Sequence, residues 1–302
     1  MCISAGFALF VLQLSIMAYN IEKFIDEALA EDIVDYNGVI PTGDHSSLAC
    51  IPGSQQGKAK LLCKADGILA GVELAELVCK RVDSNMRLEI LLKDGATIKK
   101  GDIAFYLYGE VKDILRAERL LLNFMQRMSG IATHTAKFVS AVEGTGARIL
   151  DTRKTTPNLR YFEKWAVRIG GGHNHRYGLY DMIMLKDNHI DFCGGIEKAI
   201  LTVKQYQQQN NLNLPVEVET RNLKDVEEAL RVGNITRIMF DNFTPQLMKQ
   251  AVQLVNKRYE TEASGGITHD TVRSYAETGV DFISVGALTH SSASLDLSLK
   301  AY

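Results

Sequence analysis

The sequence predicts an α/β protein whose second half is a barrel of parallel strands. From about residue 147 onward, short apolar segments alternate with amphipathic helical segments. That alternation is typical of parallel sheets. The last four predicted strands end at Glu219, Asp241, Ser264 and Gly286, at intervals of 22, 23 and 22 residues. Each interval accommodates one strand, one helix and two short loops, and repeated units of this kind favour a barrel.

Length and composition limit the class of protein. The chain has 302 residues, 46% of them hydrophobic and 23% charged, as in an ordinary globular protein. A net charge of −2 argues against a general nucleic-acid-binding protein. The five cysteines form no CxxC pair, which favours reduced thiols over a disulfide framework or a zinc site. We therefore expect a cytoplasmic protein without nucleic-acid or membrane partners.

The first residues are apolar but do not resemble a membrane span. Gln13 interrupts a segment that is already short for crossing a bilayer, and no basic region marks a signal peptide. Met17 precedes an ordinary amphipathic helix. We interpret 1–16 as a non-native or misassigned prefix, with a short anchor or export signal as the alternative.

The region before residue 147 mixes strands and helices. Residues 35–57 are rich in glycine, serine and proline, which predicts a loop. The predicted helices are 21–31, 73–82, 111–128 and 131–142. The predicted strands lie within 58–72 and at 87–92 and 102–108. Alternating leucines in the tail, 294–299, predict a last strand that returns to this N-terminal sheet.

The barrel region is predicted in more detail. Its strand candidates are 147–151, 182–186, 216–219, 237–241, 259–264 and 282–286, and its helix candidates are 223–232, 244–256 and 269–278. In barrels of this kind the active site lies at the carboxyl ends of the strands. Charged residues or glycines follow each predicted strand, so we expect them to line one common opening.

A strongly basic stretch, 151–190, runs between the first two of these strands. Its cations lie beside strand ends and the glycine run 170–172 instead of along one helix face, which favours a pocket for a ligand with several negative charges over a solvated loop. A zinc site at His173 and His175 lacks further ligands. A Schiff-base role for Lys186 is a second alternative.

Carboxylates and glycines occupy the later strand ends. Glu219 and Asp241 end neighbouring strands and suit a hard cation or sugar hydroxyls, with helix capping or salt bridges as the alternative. We expect Glu217 to point away from them. The glycine turns at 264–266 and 286–287 expose backbone N–H groups, which favours phosphate binding.

Several motifs resemble quinolinate phosphoribosyltransferases, and together they run through nearly the whole chain from about Met17. The matching segments are AER (117–119), SGIAT (129–133), DTRKTTP (151–157), GGHNHRYGL (171–179), LKDNHI (185–190), VEVE (216–219), FDNF (240–243), EASGGI (262–267) and ISVGALTHS (283–291). Asn158 stands where the family often has glycine, and asparagine also tolerates a left-handed turn.

The resemblance implies a two-domain fold and a reaction. It implies an N-terminal α/β sandwich at 17–129, joined by the tail 291–302, and an incomplete, open α/β barrel of the type II phosphoribosyltransferase kind at 130–290. The implied reaction transfers phosphoribosyl from phosphoribosyl pyrophosphate to quinolinate with decarboxylation. It implies Mg²⁺, no organic cofactor, and a homodimer with shared active sites, alone or within a larger assembly.

The resemblance also implies roles for individual residues. Quinolinate would contact Thr152, Arg153, His175, Arg176 and Lys186, with Arg119 reaching in from the partner subunit. Phosphoribosyl pyrophosphate would contact Lys154, Glu219, Asp241, Ser264, Gly265, Gly266, Gly286, Ala287 and His290. The catalytic residues would be Lys154, Lys186, Glu219 and Asp241, and the last two would also hold Mg²⁺, directly or through water.

Two alternative functions remain open at this level. One is the related transferase-like protein encoded beside molybdate transporters, which shares the fold and has an uncertain substrate. The other is a barrel that binds a phosphate ligand without turnover. Quinolinate consumption separates the first from the family activity, and tight binding without pyrophosphate release would support the second.

Overall fold

The computed structural model describes residues 19–302 except Pro52. The prefix 1–16 and Met17 therefore lie outside the described residues. The chain divides into two compact units. The first continues to Ala132 and includes Tyr161–Ala166 and Ala293–Tyr302, and the second comprises Thr133–Arg160 and Val167–Ser292. The domain boundaries inferred from the sequence stay predictions.

The first unit contains a four-stranded sheet with neighbours in the order β12-β1-β5-β3. Its strands are β1 (Gln56–Cys63), β3 (Arg87–Ile90), β5 (Ile103–Glu110) and β12 (Leu297–Ala301), and a short pair, β2 (Gly67–Ile68) and β4 (Thr97–Ile98), lies apart from them. The tail strand β12 pairs antiparallel with β1, as expected.

Three helices of the first unit precede its longest one: α1 (Ile21–Ile33), α2 (His45–Cys50) and α3 (Val72–Val82). The side chain of Asn20 caps α1 by accepting from the backbone N–H of Lys23. Phe24 and Phe124 each pack on Phe162 with ring centroids 4.9 Å apart, which builds an aromatic core. Helix α2 lies inside the segment predicted as loop, because Asp44 caps it locally.

One continuous helix, α4 (Val111–Ala141), replaces the two helices predicted on either side of Ser129. The prediction of a break was wrong because Gly130 does not end the helix. The hydroxyl of Ser129 accepts from the backbone N–H of Ala70 at 2.9 Å. Gly130 is buried, and a Cβ there would overlap the carbonyl oxygen of Ala293. Packing, not helix termination, therefore explains the glycine.

The second unit contains a six-stranded parallel sheet in the order β6-β11-β10-β9-β8-β7. Its strands are β6 (Arg148–Leu150), β7 (Ile183–Leu185), β8 (Val216–Thr220), β9 (Arg237–Asp241), β10 (Glu260–Ser264) and β11 (Phe282–Ser284). Because β6 and β7 form the two edges, the barrel is open between them. All six strands lie within the predicted segments or within one residue of them.

Helices connect most of these strands. They are α5 (Arg160–Ile169), α6 (Asp187–Cys193), α7 (Ile196–Gln209), α8 (Leu223–Val232), α9 (Pro245–Val255), α10 (Val272–Ala276) and α11 (Ala287–His290). Asn222 and Thr244 cap α8 and α9, and Pro245 occupies the first turn of α9, where a missing N–H costs nothing. These local signals explain why α8 and α9 match their predicted segments closely.

Among the residues that the structure describes, no helix is long and apolar enough to cross a membrane.

Gly130→Ala should destabilise the protein, although a glycine-to-alanine change inside a helix normally stabilises it by about 1 kcal/mol. The added methyl group meets the Ala293 carbonyl, and forcing atoms into a packed site costs about 1–3 kcal/mol. Thermal unfolding measures the difference. Ser140→Ala, at an exposed site of the same helix, serves as the control. A rise in Tm for Gly130→Ala would contradict the packing argument.

Candidate active site

A cavity of about 860 Å³ lies at the carboxyl ends of the barrel strands. Every site residue predicted in the barrel borders it, namely Thr152, Arg153, Lys154, His175, Arg176, Lys186, Glu219, Asp241, Ser264, Gly265, Gly266, Gly286, Ala287 and His290. Arg119 does not border it. That residue lies on α4 in the first unit, where its side chain is exposed.

Cations gather on one part of the cavity wall. Arg176 is only 9% exposed, and its Nη1 donates to the carbonyl oxygen of Met182 at 3.2 Å. Burial lowers the pKa of Arg176, and the nearby charge of Arg153 lowers it further. Lys186 is exposed, so it lacks the desolvation that activates a Schiff-base lysine. This wall suits anionic oxygens.

Lys154 follows Arg153 and is held through its backbone. Its N–H donates to the hydroxyl of Thr152 at 3.0 Å, and its carbonyl accepts from the hydroxyl of Thr289 at 2.8 Å. Its side chain lies against Gly286, where an added Cβ would stand 2.9 Å from Cδ of the lysine. The absence of a side chain at Gly286 therefore makes room for the lysine.

Glu219 and Asp241 form the acidic part of the wall. Burial raises the pKa of Glu219, and the neighbouring charge of Asp241 raises it further, while Lys186 opposes the shift. The amide of Asn242 donates to Asp241 Oδ2 at 2.7 Å and so orients that carboxylate. Two repelling, partly buried carboxylates are chemically suited to share a divalent cation.

The glycine turn after β10 is shaped by its neighbour. Gly265 has φ of +100° and Gly266 has φ of +61°, a region that side chains disfavour. A Cβ at Gly265 would also overlap the side chain of Asn242. The turn therefore places backbone beside the cavity instead of side chains, as phosphate binding requires.

Four of the buried charged side chains of the barrel lie close together, and we call them the buried network: His175, Glu217, Arg237 and Glu262. Nε2 of His175 lies 3.0 Å from Glu217 and 3.3 Å from Glu262. Arg237 donates to Glu262 at 2.8 Å. The expectation that Glu217 points away from Glu219 was wrong, because residues two apart in a strand share one face.

The protonation of His175 depends on two opposing contacts. The backbone N–H of Arg176 points at Nδ1 from 2.6 Å, which favours the neutral ring. Burial also lowers the pKa of His175, but Glu262 and Glu217 outweigh it and raise the pKa to about 9. A hydrogen bond contributes about 1 kcal/mol, whereas an uncompensated buried charge costs several. Burial raises the pKa of Glu217 as well, so the network binds one extra proton that belongs to the His175–Glu217 pair.

The prediction from the sequence missed some residues of this site. Asn242, Glu262 and Ser284 border the cavity, yet none was assigned a role from the sequence. Side chains two apart in a strand share one face, so the prediction for Ser264 could have been extended to Glu262 in β10. His173 borders another cavity with Arg148. Within the described residues, the group of three side chains that could hold a metal is His175, Glu217 and Glu262.

Comparison with known proteins gives consistent matches. The family model for the quinolinate phosphoribosyl transferase N-terminal domain matches residues 44–129, and that for the C-terminal domain matches 131–300. A chloroplastic nicotinate-nucleotide pyrophosphorylase (carboxylating) from Oryza sativa is 47% identical over 93% of this chain and 78% of that protein. A probable nicotinate-nucleotide pyrophosphorylase (carboxylating) from Bacillus subtilis is 41% identical over 93% of both.

A solved structure agrees with these sequence matches. The nicotinate-nucleotide pyrophosphorylase from Francisella tularensis superposes with a TM-score of 0.85 at 37% identity, covering 93% of this chain and 96% of that one.

The buried network should make stability depend on pH. Since the folded pKa of His175 is raised to about 9 from about 6.5 in the unfolded chain, its contribution is complete below pH 6.5 and is lost as pH rises through 9. The loss is at most about 3 kcal/mol. The free energies of unfolding of the parent protein and of His175→Gln, measured in urea, should therefore converge as the pH rises between these values. Parallel pH profiles would contradict the assignment, and His269→Gln, at an exposed histidine, is the control.

Proposed function

The chain belongs to the quinolinate phosphoribosyltransferase family, and we propose that the cavity at the carboxyl ends of β6 to β11 is its active site. The protein is a phosphoribosyltransferase of pyridine nucleotide biosynthesis. It transfers phosphoribosyl from phosphoribosyl pyrophosphate to quinolinate with decarboxylation, which gives nicotinate mononucleotide, pyrophosphate and CO₂. The observation that supports this site is the meeting of cations, carboxylates and glycine turns around one cavity.

We place quinolinate at the part of the cavity wall formed by Arg153 and Arg176, which we call the cationic wall. The two carboxylates of quinolinate match the paired N–H donors of Arg153 and Arg176, because planar guanidinium groups bind carboxylates with two parallel hydrogen bonds. Lys186 and the hydroxyl of Thr152 line the same cavity. His175 also borders it, but its Nε2 faces Glu217 and Glu262.

The ends of β10 and β11 are where we place phosphoribosyl pyrophosphate. The backbone turns and short side chains at Ser264, Gly265, Gly266, Gly286 and Ala287 allow phosphate oxygens to approach N–H groups. Lys154 and His290 lie beside Gly286 and add cationic or hydrogen-bonding side chains.

Glu219 and Asp241 face the ribose in this arrangement, and we infer that they also hold Mg²⁺, directly or through water. Their mutual repulsion, seen in the raised pKa of Glu219, is relieved by a divalent cation. Sites with one or two carboxylates completed by substrate phosphates are typical of Mg²⁺. When bound, Mg²⁺ neutralises charge on the departing pyrophosphate.

The chemistry follows from these positions. The pyridine nitrogen forms a bond to C1 of the ribose while the bond from C1 to pyrophosphate breaks, and pyrophosphate keeps the electron pair. Positive charge grows on the ribose, where Glu219 and Asp241 stabilise it. The bond to the 2-carboxylate then breaks and CO₂ leaves. The electron pair stays beside the positively charged ring nitrogen, and a proton adds there.

The direct test uses purified protein with quinolinate, phosphoribosyl pyrophosphate and Mg²⁺. Nicotinate mononucleotide, pyrophosphate and CO₂ should form in equal amounts. Pyrophosphate release without CO₂ would overturn the decarboxylating assignment, and binding without either product would support a non-catalytic barrel.

We propose a cytoplasmic location and a homodimer whose sites are shared. The four cysteines that the structure describes are all free, which suits a reducing compartment. Arg119 is exposed, and Asp113, six residues before it on the same helix, pairs with Arg116 at 3.1 Å. Among the described residues no ion pair involves Arg119, so it is available for a substrate in the partner subunit's cavity.

Arg176→Lys should weaken quinolinate recognition although it keeps the charge. Lysine cannot reproduce the two parallel hydrogen bonds of a guanidinium group. Loss of one hydrogen bond to a charged group costs about 1.5–3 kcal/mol, so KM for quinolinate should rise roughly 10- to 150-fold. Arg168→Lys, at an exposed arginine outside the cavity, is the control. An unchanged KM would remove Arg176 from the quinolinate site.

Subunit complementation tests Arg119. Mixing Arg119→Ala chains with Arg153→Ala chains should restore activity, because a mixed dimer with shared sites contains one cavity free of both defects. Random exchange makes half the dimers mixed, so about a quarter of all cavities should recover. Arg153→Ala mixed with Lys154→Ala is the matched control, since both residues border the cavity of their own chain. No recovery despite verified exchange would place Arg119 in its own chain's site.

A further inference from the structure

Two residues of the buried network, His175 and Glu262, border the cavity, and no step of the reaction uses the network. His175 is 6% exposed, Arg237 is 8% exposed, and Glu217 and Glu262 are fully buried. Ionic groups at such depth carry a large desolvation cost, so stability alone is a weak reason for them. Their charges balance when His175 is protonated, with two cations facing two carboxylates.

Each glutamate depends on the histidine to a different degree. Glu262 has Arg237 at 2.8 Å as well as His175 at 3.3 Å. Glu217 has His175 at 3.0 Å as a close charge contact, and neither of its oxygens makes a well-formed hydrogen bond with any described residue. The two carboxylates therefore hold the imidazole from two strands, β8 and β10.

His175 belongs to a turn that carries Arg176 into the cavity. The backbone of that turn is anchored by Asp151, whose carboxylate accepts from the N–H of His175 at 2.8 Å and from the amide of Asn174 at 2.5 Å. The side chain of His175 holds the turn at a second point, through its contacts with Glu217 and Glu262. Arg176 follows immediately, so its direction depends on both anchors.

We propose that Glu217 and Glu262 are positioning residues for quinolinate, which act by holding His175 and thereby the direction of Arg176. This inference rests on the proposed function of the cavity. Neither glutamate needs to touch the substrate, because its effect is transmitted through the imidazole. Arg237 neutralises Glu262, so that the floor of the cavity does not present net negative charge to a substrate with two carboxylates.

A metal ion on the same three side chains is a weaker explanation. His175, Glu217 and Glu262 could hold one by distance. However, the guanidinium of Arg237 already lies 2.8 Å from Glu262 and supplies positive charge there. A divalent ion together with Arg237 would bring three positive charges against two carboxylates in this buried space.

The test compares Glu262→Gln and Glu217→Gln with the parent protein by steady-state kinetics. Glutamine keeps the shape of the side chain and removes the charge. KM for quinolinate should rise about 10- to 100-fold, as expected when a close contact between charged groups is lost, while KM for phosphoribosyl pyrophosphate should change less than about threefold. Glu260→Gln is the matched control, because Glu260 binds the same Arg237 at 2.9 Å but does not contact His175.

A double-mutant cycle separates positioning from general destabilisation. If Glu262 acts through the imidazole, Glu262→Gln should have little further effect in a His175→Ala background. The inference would be overturned if Glu262→Gln raised KM for quinolinate by the same factor in both backgrounds. It would also be overturned if KM rose equally for both substrates. Should Glu262→Gln fail to fold, Glu217→Gln gives the same decision, since Glu217 makes no ion pair with Arg237 in the described structure. Absence of quinolinate turnover in the parent protein would instead overturn the proposed function.

Discussion

Repulsion between cations held close together at one end of the open barrel is the constraint on which the rest of the site depends. Burial lowers the pKa of Arg176, and the nearby charge of Arg153 lowers it further. Asp151 and Met182 anchor the turn around Arg176, and the Thr289 hydroxyl anchors Lys154. A dianionic ligand then relieves the repulsion, so anchoring and recognition are two consequences of one arrangement.

Much of the barrel could be predicted because local and global signals agree there. Strand β9 and helix α8 have the predicted bounds, since alternation, apolar periodicity and an Asn222 cap indicate the same elements. The carboxyl ends of parallel strands meet at one edge, so residues far apart in sequence could be assigned to one opening without coordinates. The glycine turn at Gly265 was predictable for the same reason, although the overlap with Asn242 that requires glycine was not.

The parts that escaped prediction depend on tertiary packing. Ser129 and Gly130 suggested a helix break, but their reasons lie with Ala70 and Ala293, distant in the sequence. The buried network escaped for a similar reason: charged residues in a strand are normally assigned to solvent, and only the structure shows Glu217 and Glu262 compensated by cations from other elements. Sequence patterns thus located the side chains that line the cavity better than those that support them.

The measurement that tests the account most directly compares quinolinate with nicotinate, which lacks the 2-carboxylate, at saturating phosphoribosyl pyrophosphate and Mg²⁺. Both would yield nicotinate mononucleotide, so one product assay gives kcat/KM for each. If the cationic wall recognises two carboxylates, kcat/KM should favour quinolinate by at least about tenfold, the effect of one lost charged hydrogen bond. Equal values for the two substrates would contradict the account, because the clustered cations would then have no role in selecting the substrate.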